Sequence, residues 1–321
     1  MKRIIGYLLT ALVFSSCVKE ESSDGFFVAY PNADTVWQTS LTGRPVNTID
    51  TLFTPPDAAA VSVATASNDT AHFGSNIAVR TTPGFCLQPN GNPVQGSVKI
   101  ELLQFDRKGD FIRYGKQTTS GDKILDKQTI FRVKVTQYYE PMILNSQAMV
   151  TIRYRTTLMS GHVSVFTGDT LINDPTNFSW EETTDAARPF DGVENGNVIL
   201  GYDIPCSKLG WISFGKLIDN STGAKLTVVQ PVTCTNNNTA VYAVFKNQRT
   251  VLRLLPDLTS RTFFVNHLPA GSDLLLVSIS KIGSALYLGT SSLVTGTNSS
   301  VVKMKTEAAT KQQISDFLDG L

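Results

Sequence analysis

Histidine and cysteine are scarce in this chain, three and four respectively among 321 residues. His72, His162 and His267 lie far apart and belong to no H-E-x-x-H or Cys/His group, so the local spacing of a zinc centre is missing and no metal is expected. Charge of one sign is lacking too: 28 Lys and Arg face 27 Asp and Glu, a formal net charge of +1. That leaves no basic footprint for nucleic acid and no acidic block typical of a disordered tail. No apolar run reaches the about 20 residues that cross a bilayer as a helix; the stretches 4–14 and 274–279 are both too short. There is no G-x-G-x-x-G, Walker loop or G-x-S-x-G. Ser-x-x-Lys occurs at Ser120 and Lys123, Ser213 and Lys216, and Ser278 and Lys281, but without S-D-N or K-T-G partners and in strand-and-turn surroundings. No catalytic residue and no cofactor follow from these patterns.

What is abundant is the material of β-sheets. Val, Thr, Ile, Tyr and Phe are plentiful, and Gly, Pro, Asn and Asp recur at short intervals between them. The expected fold is all-β, two or three β-sandwich domains in tandem with one short C-terminal helix, because a chain of this length exceeds what one core usually organises. Val98-Lys99-Ile100-Glu101-Leu102, Phe131-Arg132-Val133-Lys134-Val135 and Val150-Thr151-Ile152-Arg153-Tyr154 alternate with period two, so each predicts a strand with one buried and one wet face. Further strands are expected around Ile77 and Val79, and over 163–166, 226–229, 240–245, 251–254 and 274–279. The helix is expected over 306–321, where Ile314, Phe317, Leu318 and Leu321 share a face, and Thr310 with Gln313 fits a capping box at a later start. Its apolar stripe is expected to dock on a sheet. The segments read as a signal peptide over 1–16, a linker over 17–25, an N-terminal hairpin or linker over 26–60, a sandwich over 61–157, a β-rich region with a long loop over 158–235, and a final sandwich with the helix over 236–321.

The N-terminus carries the most specific signal. Lys2 and Arg3 precede the apolar run 4–14, and small Ser15 and Ser16 precede Cys17. This resembles the bacterial lipobox, which implies cleavage before Cys17 and lipidation of its sulfur. Lys19-Glu20-Glu21 follows, similar to the export signal of Bacteroidota lipoproteins bound for the outer face of the outer membrane. Asp-Thr-apolar triplets at Thr35, Thr51, Thr70 and Thr170 resemble the O-glycosylation acceptor of the same lineage, although Asp-Thr is also common in simple turns.

The run PNGNPVQGSVKIELLQFDRKGDFIRYGKQTTSGDKILDKQTIFRVKVTQ resembles a module of Bacteroidota surface lipoproteins, through Gly91, Pro93, Val94, Gly96, Val98 and Ile100, then a turn bearing Lys108 and Asp110, then Thr119, Ser120 and Leu125. The resemblance implies a ZU5 or immunoglobulin-like β-sandwich and no catalytic residues. Thr82-Pro83-Gly84-Phe85-Cys86 departs from the module's usual Ile-Pro-x-x-Ala-Phe. Leu209-Gly210-Trp211-Ile212-Ser213-Phe214 is similar to a segment of the same lipoproteins, and the 263–271 stretch with its Leu268-Pro269-Ala270-Gly271 turn resembles a transthyretin-like sandwich.

Candidate contacts come from the long loop expected over 177–197, where Trp180 stands beside Glu181, Glu182 and Asp185, an aromatic platform with carboxylates of the kind that binds sugars. Cys206 and Cys234 share the C-terminal half, and spacing leaves their pairing as a disulfide open. Cys86, between Phe85 and Leu87, reads as a buried small apolar residue. The expectation is a non-catalytic binding or assembly module, anchored in the outer membrane by its lipid and facing the cell surface, with a glycan or protein partner and no nucleic acid. A glycan-binding accessory lipoprotein and a hydrolase assembled from distant residues such as His162 or His267 are the alternatives.

Overall fold

The computed structural model describes residues 35–39, 52–157, 163–171, 174–194, 196–220 and 223–321. Cys17, Lys19, Glu20, Glu21, Thr51 and His162 lie outside the described residues, as does the side chain of Thr170. In chain order come β1 (Ala59–Ala64), β2 (Asp69–Phe73), β3 (Ile77–Thr81), β4 (Cys86–Leu87), β5 (Ser97–Phe105) and the short helix α1 (Lys108–Arg113). Then follow β6 (Thr119–Ser120), β7 (Lys123–Gln137), β8 (Glu140–Pro141), β9 (Ile143–Leu144) and β10 (Val150–Arg155). β11 (Val163–Leu171), β12 (Asp174–Glu194), β13 (Asn197–Cys206) and β14 (Gly210–Ile218) continue the chain. The last part holds β15 (Ala224–Val229), β16 (Thr239–Phe245), β17 (Val251–Arg253), β18 (Leu255–Asp257) and β19 (Thr262–Leu268). It ends with β20 (Asp273–Ile282), β21 (Ala285–Val294), β22 (Ser300–Lys303), β23 (Glu307–Ala309) and α2 (Lys311–Asp319).

The chain is all-β with a short C-terminal helix, and its sheets stack in four layers. The first layer is β2-β3-β10-β13-β12 and the second β12-β11-β14-β7-β5-β1. They share β12, whose residues up to Ala187 pair with β11 and whose residues from Arg188 pair with β13. The third layer is β17-β16-β20-β21-β23 and the fourth β18-β19-β15-β22. Three cores fill the gaps. Phe73, Val79, Ile152, Tyr202 and Ile204 of the first layer meet Ile100, Phe131, Val133, Val165 and Phe214 of the second. Phe105, Ile130, Phe166 and Trp180 on the second layer's other face meet Tyr242, Val244, Val277 and Ile279 of the third. Val241, Ala243, Leu274 and Leu276 then face Leu226, Val228 and Phe263 of the fourth.

Period two explains the stacking. In β5, Val98, Ile100 and Leu102 enter the first core while Leu103 and Phe105 enter the second, because successive side chains point to opposite faces. β16 is buried at every residue, since its two faces serve two cores. A strand so placed reads as an unbroken apolar run.

Several expectations are corrected. Strands of 61–157 and of 158–235 interleave, with β10 paired to β13 and β7 to β14, so residue 157 falls inside one sandwich. The loop expected over 177–197 is mostly strand β12, whose first part pairs with β11 and whose last part pairs with β13, the strands on either side of it in sequence. The strand expected over 163–166 runs on through Gly168 and Asp169 to Leu171 as β11. The turn bearing Lys108 and Asp110 contains α1. The C-terminal helix begins late, at Lys311, with the Thr310 and Gln313 capping box formed; Glu307–Ala309 is strand. Its buried Ile314 and Leu318 join Phe111 and Ile112 of α1 in the second core. Trp37, from the short N-terminal piece, packs on Phe263 with ring centroids 5.5 Å apart.

Candidate functional site

Among the described residues, the first layer has one covered face and one open face. Along β10, Val150, Ile152 and Tyr154 are buried while Thr151, Arg153 and Arg155 turn outward. The same alternation sends Thr70 and His72 of β2, Arg80 of β3, Asp203 and Pro205 of β13, and Arg188 and Phe190 of β12 to the outer surface. Pairing then sets these residues in rows. Arg80 lies opposite Thr70 on one side and Thr151 on the other, and Thr151 lies opposite Pro205. In the next row Asp203 lies opposite both Arg153 and Arg188.

A cleft of about 790 Å³ opens over these rows. Its floor includes Thr70, Arg80, Thr151 and Pro205; Thr184, Asp185 and Ala186 border it where β12 leaves the second layer for the first. A bulge in the β11 and β12 pairing between Ser164 and Phe166 accompanies that departure, and the Thr183 hydroxyl steadies it by donating to Val165 O at 3.0 Å. A second hollow of about 340 Å³ shares Thr70 and Arg80 and continues past His72, Arg153 and Arg155 to Glu194. The two volumes therefore form one track across the sheet.

Charges along the track differ in how far they are satisfied. Arg153 donates to both carboxylate oxygens of Asp203, at 2.7 Å from Nε and 2.6 Å from the second nitrogen, a fork that favours the guanidinium's proton and raises its pKa. Its guanidinium carbon also sits 4.2 Å from the centroid of the Phe190 ring. Phe190 lies over Gly201, where an added Cβ would run into the ring. Arg155 pairs with Glu194 at 2.5 Å. Asp69 accepts from the Ala64 and Thr70 amides at 2.8 and 2.7 Å, and these bonds hold its carboxyl below the usual range. Arg80 and Arg188, both exposed, have no hydrogen-bond or ion partner among the described residues.

The residues singled out from the sequence are dispersed. Trp180 is 1 % exposed, in the second core, its Nε1 donating to Gln117 O at 2.8 Å and its ring set edge-on to Phe178. It is no surface platform, because strand β12 turns it inward, while Glu181 and Glu182 are exposed. Asp185 alone of that group borders the cleft. Thr70 also borders it, and Thr35 is half-buried. Cys86, Cys206 and Cys234 are free and buried; Cys206 and Cys86 lie in the first core, whereas Cys234 lies beside Thr306, so no bridge joins Cys206 to Cys234. Ser213 and Ser278 are core hydroxyls, donating to Thr129 O at 2.7 Å and to Gln230 Oε1 at 3.1 Å. His72 and His267 stand on different layers. Among the described residues no group of three or more His, Cys, Asp or Glu side chains is placed to hold a metal ion, and no helix is long and apolar enough to cross a membrane.

Arg80, Thr151, Arg188 and Asp203 carried no sequence signal beyond the polar phase of alternating strands. Only the order of strands in the sheet brings them together. No protein-family model, curated protein or solved structure matches the chain.

Proposed function

We propose that the protein is a non-catalytic binding or assembly module, held in the outer membrane by a lipid on Cys17, facing outward, with its ligand in the track across the first layer. The anchoring reading rests on the Lys2 to Cys17 pattern and Lys19-Glu20-Glu21. The binding reading rests on one observation: a cleft of about 790 Å³, within the size range of ligand sites, whose floor presents two arginines with no partner among the described residues.

Protease added to intact cells is expected to degrade the protein, and Cys17→Ala to release it from membranes. Full protection while the outer membrane is intact would place it in the periplasm. For the cleft, Thr151→Trp sets an indole on the floor from an outward position. On an array of neutral glycans, acidic glycans and peptides, the wild-type protein is expected to bind and the variant to lose binding with its thermal midpoint kept. Binding that survives Thr151→Trp rejects the cleft as the site.

A further inference from the structure

We infer that the track binds an acidic polysaccharide, a chain of sugars carrying carboxylates at intervals, with Arg80 and Arg188 taking the carboxylates and Asp185 and the threonine hydroxyls taking sugar hydroxyls. This rests on the reading of the cleft as the binding surface and adds the chemistry of its ligand.

Three acids line the cleft, Asp69, Asp185 and Asp203. Asp69 is engaged by two backbone amides and Asp203 by the fork of Arg153. Arg188 is opposite Asp203 in the sheet, yet no hydrogen bond or ion pair joins their side chains, and the Arg188 guanidinium has no partner among the described residues. Two guanidiniums and one carboxylate remain. A guanidinium presents a planar fork of donors that matches a carboxylate bidentately, so the surplus selects an anion.

The lining mixes signs and includes Thr70, Thr81, Thr82, Thr151 and Thr184 with the apolar Met149 and Pro205. A nucleic acid or polyphosphate would meet a uniformly basic surface; this one has an acceptor, Asp185, and a row of hydroxyls among its cations. A ligand with carboxylates and many hydroxyls satisfies both.

Arg80 is on β3 and Arg188 on β12, with β10 and β13 between them. Three strand steps at about 4.8 Å, with an offset of two residues along the strands, put their backbones roughly 16 Å apart. One small carboxylate meets both only if both side chains fold inward, whereas a chain with repeated carboxylates meets each where it stands. The second hollow extends the track beyond Arg80, and there Arg153 and Arg155 are already paired with Asp203 and Glu194.

The test uses the full-length protein in detergent micelles, titrated calorimetrically with polygalacturonate, its methyl ester, dextran and polyglutamate. Polygalacturonate is expected to bind, to weaken as salt rises, and to weaken at least tenfold in the double variant Arg80→Gln, Arg188→Gln, whose outward positions leave the core untouched. Its methyl ester and dextran are expected to bind at least tenfold more weakly than the acid. Equal binding of acid and ester, or unchanged binding by the double variant, overturns the inference. If neutral glycans bind as tightly as the acid and Thr151→Trp abolishes that binding, the cleft stands as the site and its acidic ligand falls. Polyglutamate binding as tightly, with the same arginine dependence, overturns the sugar. No binding of polygalacturonate at millimolar concentration also overturns the inference.

Discussion

At the residue scale, the role of a side chain is decided by which core it enters. Cys86 and Cys206 illustrate this: both lie in the first core, and burial pushes their thiols from an ordinary 9.0 up to about 11 and about 12. The unfolded chain releases these protons near pH 9 while the folded chain keeps them. The stability they support is therefore fully present below pH 9 and is lost as pH rises through about 11 and 12. Between pH 9 and 11 the urea midpoint of the wild type is expected to fall more steeply than that of Cys206→Ala; parallel profiles would show that the Cys206 thiol is not raised. Trp180 is the corresponding case for an aromatic. Its indole N–H is spent on Gln117 O inside the second core, and truncation to Ala is expected to cost about 3–5 kcal/mol by chemical denaturation. A loss under 1 kcal/mol would mean the ring is not packed there.

At the scale of elements, two helices and one strand organise what the sheets alone leave open. α1 and α2 cross so closely at Gly109 that an added Cβ would collide with the Leu318 carbonyl. Arg113, 7 % exposed, clamps the pair by reaching Asp110 at 2.8 Å, Asp319 at 2.9 Å and Ser315 O at 2.6 Å. Gly109→Ala is expected to lower stability by about 1–3 kcal/mol, the usual cost of overpacking, and Thr310→Ala by about 1 kcal/mol through loss of the cap. Unchanged thermal midpoints in both would mean the helices are not docked. The cap was readable from Thr310 and Gln313 because it is a local hydrogen-bond pattern. The close crossing was not, since a glycine four residues before Arg113 says nothing about a helix two hundred residues away. Strand β12 escaped recognition for a different reason: Asn, Pro, Asp and Glu make 177–197 look like a loop, and pairing to its neighbours β11 and β13 overrides that preference.

At the scale of the whole molecule, the second and third layers each serve two cores, so neither half of the stack can be removed without exposing apolar surface. Cutting the chain after residue 220 would uncover Phe105, Phe166 and Trp180. That fragment is expected to aggregate, as judged by light scattering after refolding; a soluble, monomeric fragment would show that the outer sandwich is independent. The sequence by itself determined the all-β class, the inward and outward phase of most strands, the capped C-terminal helix and the pattern around Cys17, because each depends on residues within a few positions of one another. The tertiary structure decided which strands are neighbours. That choice buried Trp180, kept Cys206 and Cys234 apart, and aligned the outward phases of β2, β3, β10, β13 and β12 into one track. Strand order is set by how four sheets share three cores, a long-range packing problem, and the arginines of the track acquire a common purpose only once that problem is solved.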